Sequence, residues 1–137
     1  MGTAERTRVV IGEPVRETRT ALAGALRRNG YDVVEAGDGA AILDYVGDCV
    51  DDAAPVVVIA DSRMPVLTGL HVLASLRNMQ SVRVIVTAPF DDHRTHLLAR
   101  KLGAAAMFDK PLDLDRLCAA IDGIAYAQSA ISAGLRS

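Results

Sequence analysis

Short apolar runs alternate along the chain with longer stretches in which apolar residues recur every three to four positions. The runs occupy residues 9–11, 33–34, 56–60, 82–86 and 104–108, and four of them are rich in Val and Ile. β-Branched side chains suit a pleated, buried surface, so each run reads as a strand; the last is Ala-rich and the weakest of the five. Between the runs, Ala21, Leu22, Ala25 and Leu26 repeat at helical spacing, and Gly30 is placed to stop that helix. The same pattern predicts helices over 40–46, 70–76 and 92–102, the last ended by Gly103. A fifth starts near Asp113, whose side chain can cap free N–H groups, and carries Leu114, Leu117, Ile121 and Ile124 on one face.

Strand and helix thus alternate five times. Right-handed crossovers turn that order into an α/β, doubly wound (βα)5 fold with helices on both faces of an open parallel sheet. Ligands of such sheets bind at the carboxyl ends of the strands, near the point where strand order reverses. Polar residues stand at those ends: Glu13 after the first strand, Asp61 after the third, Thr87 after the fourth, and Lys110 with Pro111 after the fifth.

With 137 residues, 50% apolar, there is material for one core, set here at residues 8–126 between a tail at 1–7 and a tail or helix extension at 127–137. Fifteen Lys and Arg against seventeen Asp and Glu give no basic field, which argues against nucleic acid binding by this domain. No apolar run is long enough to span a bilayer, so the expected setting is soluble and cytoplasmic, with no membrane partner. Cys49 and Cys118, far apart in sequence, read as buried thiols, and His93 and His96 as a solvated helix face.

Asp61, Met64, Pro65 and Gly69 in VVVIADSRMPVLTGL, Thr87-Ala88 in VIVTA, and Lys110-Pro111 in FDKPL are together similar to the receiver (response-regulator, chemotaxis-type) domain of two-component signalling systems. The resemblance covers residues 8 to about 126. It implies a flavodoxin-like sheet of order 2-1-3-4-5, Asp61 as phosphoacceptor, Thr87 and Lys110 contacting phosphoryl oxygens, Mg2+ held by Glu13 and Asp61, and a cis peptide before Pro111. The chemistry needs such a set, because a carboxylate attacks phosphorus poorly unless charge on the phosphoryl oxygens is neutralised. The implied partners are a histidine kinase or phosphotransfer protein upstream and a downstream protein or output domain. No residues for an output domain are seen in the chain.

The sequence departs from that pattern at two places. An ungapped first helix puts Glu13 in the first slot of the family's acidic pair and Pro14, which has no ligand atom, in the second; a one-residue shift would instead leave Ile11 and Gly12 there. Weakened Mg2+ binding follows, unless Glu17 reaches the metal through water or the Arg63 guanidinium partly replaces the cation. Met107 stands where the family has a switch aromatic, and Phe108 is expected to face the other way as a core residue. Leu114, Leu117, Ile121, Ile124, Gln128, Ile131 and Leu135 keep a heptad register that would suit a homodimer or a connection to an output module. Two function classes stand: a phosphoacceptor receiver, and a phosphorylation-independent pseudo-receiver acting as a protein-interaction module. A phosphatase of the aspartate-nucleophile type would need an acid two residues after Asp61, where Arg63 stands.

Overall fold

The computed structural model describes residues 7–49 and 55–132. Residues 1–6 of the expected tail, Leu135, and the side chains of Cys49 and Ile131 lie outside what is described. Five strands, β1 (Arg8–Gly12), β2 (Asp32–Ala36), β3 (Val56–Asp61), β4 (Val82–Pro89) and β5 (Ala106–Lys110), form one sheet of order β2-β1-β3-β4-β5. Every pairing is parallel. The crossovers are α1 (Arg16–Arg28), α2 (Gly39–Cys49), α3 (Gly69–Leu76) and α4 (His93–Lys101), and α5 (Leu114–Ser132) follows the last strand.

The strands are apolar almost throughout because successive side chains feed two different cores. Val10, Val56, Val58, Val84 and Val86 point into one, shared with Ile42 and Val46 of α2, Val72, Leu73 and Leu76 of α3, and Ala99 of α4. Val9, Ile11, Val57, Ile59 and Ile85 point into the other, shared with Leu22, Ala23 and Leu26 of α1 and Leu117 and Ile121 of α5. Helix starts are secured by side chains accepting first-turn N–H groups: Asp38 for α2, Thr68 for α3, Asp92 for α4 and Asp113 for α5. α1 has no such cap, its N-cap residue being Val15. Gly30 and Gly103 follow α1 and α4 with φ of +91° and +88°, a conformation open to a residue without a Cβ.

Four expectations need correction. The fifth strand begins two residues later than its Ala-rich text suggests and runs on through Asp109 and Lys110, since pairing to β4 is set by Ile85↔Ala106. On α1 the third core residue is Ala23, while Ala21 is exposed, which rotates the buried stripe slightly. Cys118 is only partly buried and accepts a hydrogen bond from the Asn29 side chain. His96 is partly buried rather than solvated, and its Nε2 lies 2.6 Å from Asp109 Oδ1, tying α4 to β5; His93 is exposed. Along α5, Leu117, Ile121 and Ile124 pack on the sheet and Gln128 is buried, donating to the Gln80 carbonyl. From Leu117 to Gln128 the heptad stripe is used within the molecule, whereas Leu114, at its start, is exposed.

Candidate functional site

The carboxyl ends of β1, β3, β4 and β5 bring the polar residues together. Asp61 is the last residue of β3 and pairs in register with Thr87 of β4, and the ladder continues one step beyond them as the Ser62 N–H donates to the Thr87 carbonyl (2.8 Å). Glu13 follows β1 immediately, its N–H donating to Ala36 of β2. Glu13, Asp61 and Thr87 are 3%, 2% and 2% exposed, because strands flank them on both sides and loops cover them above. Lys110 ends β5 and reaches inward from the sheet edge. The Lys110–Pro111 peptide bond is cis.

Two buried carboxylates side by side repel and are poorly solvated, so they need donors. Each has them. The Glu13 Oε1 accepts from Lys110 Nζ at 2.7 Å and its Oε2 from the Val15 N–H at 2.9 Å. Asp61 Oδ1 accepts from the Arg63 N–H at 2.7 Å, and Oδ2, which receives no directed hydrogen bond, is in ion-pair contact with the same Lys110 ammonium. Partial burial would push the Lys110 amine down, but its contacts with the Asp61 and Glu13 carboxylates outweigh that and hold it above the ordinary lysine value. One ammonium therefore bridges both acids.

Mg2+ prefers six oxygens in near-octahedral array and relies on carboxylate charge. Of the oxygens here, Glu13 Oε1 and Asp61 Oδ2 are taken by the ammonium, the other two by backbone N–H groups, and Pro14 contributes none. Among the described residues no group of three His, Cys, Asp or Glu is arranged to hold a metal. All four carboxylate oxygens therefore already have a partner, and the pocket offers two acids rather than three.

Neither proposed substitute for the missing acid enters the pocket. The Arg63 side chain is exposed and near enough to Asp92 to help lower that carboxyl's pKa, after the larger effect of the hydrogen bonds from Thr95; only the Arg63 backbone touches Asp61. Glu17 is exposed on α1, in a groove of about 470 Å3 that it lines with Ala21, Lys110, Pro111 and Leu114. Met107 packs towards α3 and α4 and Phe108 towards α1 and α5, on opposite faces of the sheet as strand alternation requires. Sequence reasoning missed the backbone donors of Val15 and Arg63, and Arg19, whose guanidinium donates to the Glu13 carbonyl (2.8 Å) and lies 3.5 Å from Glu35. Side-chain identities carry no signal for main-chain donors. Gly69 has a plain cause: a Cβ there would lie 2.7 Å from the Asp61 carbonyl oxygen and 2.8 Å from that of Ala60.

The profile of the response regulator receiver domain matches residues 9–122. The transcriptional regulatory protein PdtaR of Mycobacterium tuberculosis is 31% identical over 116 residues, covering 84% of this chain and 55% of that protein. CpxR of Escherichia coli is 27% identical over 117 residues, covering 85% of this chain and 48% of its own. The chain thus spans about half the length of these curated relatives. Among solved structures, the signal receiver domain of NarL from M. tuberculosis superposes with a TM-score of 0.76 at 29% identity, covering 90% of this chain and 98% of that one. A receiver domain protein from Clostridium thermocellum gives 0.82 at 23% identity, covering 93% and 99%, a likeness of fold.

Proposed function

Because this chain belongs to the response regulator receiver domain family, a family of two-component signalling modules rather than classical enzymes, we propose that Asp61 is its phosphoacceptor. The observation that supports this most is the pairing of a buried Asp61 carboxylate with an in-register Thr87 and a Lys110 ammonium already in contact with it. Receiver domains interact with histidine kinases and output domains. For this chain the donor is a phosphohistidine on a kinase or phosphotransfer protein. An Asp61 oxygen forms the P–O bond as the P–N bond breaks, and the imidazole nitrogen leaves with the bonding pair and takes up a proton. Thr87 donates its hydroxyl hydrogen to one phosphoryl oxygen and Lys110 its ammonium hydrogen to another, stabilising charge that grows on the phosphoryl group. Receiver domains generally bind Mg2+ at this acidic pocket; for this chain we infer weak binding or none.

The test is incubation with acetyl phosphate, in EDTA and in Mg2+, followed by intact mass measurement. A gain of one phosphoryl group, lost in Asp61→Asn, is expected. No gain in either buffer overturns the reading. That result would leave a phosphorylation-independent module that binds partners as it is, the reading Pro14 and Met107 favour.

A further inference from the structure

We propose that the Lys110 ammonium is the resident cation of this site, so that Glu13 and Asp61 take no divalent ion between them. The inference rests on the reading of these residues as a receiver's acidic pocket. It extends that reading to what neutralises the pocket.

The turn after β1 carries the argument. Pro14 fixes its own φ and supplies no side-chain oxygen, and the next N–H, that of Val15, turns back onto Glu13 Oε2 (2.9 Å). With one oxygen held by that turn, Oε1 faces the sheet edge, where Lys110 Nζ lies 2.7 Å away. The Arg63 N–H holds Asp61 in the same manner through Oδ1, leaving Oδ2 on the ammonium. Both carboxylates are thus aimed by the backbone at one point, and a side-chain cation sits there. Charge is nearly balanced: two carboxylates and one ammonium leave a single negative charge in a pocket whose acids are at most 3% exposed. Arg19 does not change this, its guanidinium being spent on the Glu13 carbonyl and on Glu35. A hexahydrated dication would have to shed water and displace the ammonium from both acids at once, with no side-chain oxygen from Pro14 to compensate. A site built so responds to a phosphodonor without first loading a metal.

The test reads metal binding directly. Mn2+ is added to the unphosphorylated, 15N-labelled protein, and broadening of the Val15, Asp61 and Arg63 amide signals is followed by NMR. The parent protein is expected to show no saturable broadening up to millimolar Mn2+. Lys110→Gln, which removes the cation, and Pro14→Asp, which places a third carboxylate next to Glu13 on the turn, should each bind at least about tenfold more tightly than the parent. If Lys110→Gln proves unfolded by circular dichroism, Pro14→Asp carries the comparison alone. Saturable broadening of the parent at submillimolar Mn2+ overturns the proposal. So does a folded Lys110→Gln as blind to Mn2+ as the parent, since the ammonium would then not be what keeps the ion out. Failure of the phosphoacceptor reading would appear separately, as a missing mass gain with this metal result unchanged.

Discussion

Lys110 is the residue on which most of the site turns, and its energetics have a definite pH signature. Its contacts with Asp61 and Glu13 outweigh the opposing effect of partial burial and raise its pKa above the ordinary 10.5. A base whose folded pKa lies above its unfolded one binds its proton more tightly when folded. The stability it contributes is therefore full below pH 10.5 and is lost as pH rises through the folded value. Urea midpoints of the parent and Lys110→Gln should differ at neutral pH, the parent being the more stable, and converge as pH climbs past 10.5. A gap that stays constant across that range would mean the ammonium is not paired in the folded state. Glu13, Asp61, Thr87 and Lys110 were all legible in the sequence as polar residues at strand ends. Their pairing was not, because ammonium and metal compete for the same oxygens, and which one wins depends on backbone N–H groups that residue types do not reveal. Val66 is a second feature beyond reach of pattern: a β-branched residue with φ of +68°, closing a tight turn in which the Leu67 N–H donates to the Pro65 carbonyl.

Among the elements, those with the clearest apolar periodicity are legible in the sequence, and those carrying mixed duties are less so. β3 is buried along its whole length, so its Val-rich run could hardly be anything but a central strand. β5 lies at the sheet edge with every residue partly or fully exposed, and its last two, Asp109 and Lys110, serve an ion pair to His96 and the acidic pocket. Its polar end therefore looked like loop. α5 reads from sequence as either a packing helix or an associating one, since the same spacing serves both. Its first turns are committed to the sheet: Leu117 and Ile121 are fully buried. Leu117→Ala should destabilise the domain by about 2–5 kcal/mol, as a large-to-small change in a core does, whereas Tyr126→Ala, at a residue 78% exposed, should cost no more than about 0.5 kcal/mol. Equilibrium urea unfolding of the two variants decides it, and equal costs would show that α5 does not pack as described.

At the scale of the whole molecule, the sheet is a wall between two cores that share no side chain. A cavity opened in one core borders sheet residues facing that side only, so repacking on one side has no direct route to the other. Yet the backbone is common to both, and each strand contributes alternate residues to each core, so neither can melt without dissolving the ladder that supports its counterpart. These two facts make separate predictions. Cooperative loss follows from the shared ladder: unfolding followed by far-ultraviolet circular dichroism and by the tyrosine signal should give coincident transitions. Independence of cavities follows from the wall. Leu73→Ala, in the core under α3, and Leu117→Ala, in the core under α5, should each destabilise the protein, and the double variant should lose their sum to within about 0.5 kcal/mol. A larger departure in either direction would mean that the strands shift sideways to fill a void, passing strain through the sheet. The acidic pocket sits at the end of that same sheet, on β1, β3 and the tip of β5. A rigid wall would confine a change at Lys110 to the neighbouring loops and the β5–α5 junction, and a compliant one would carry it to the far core.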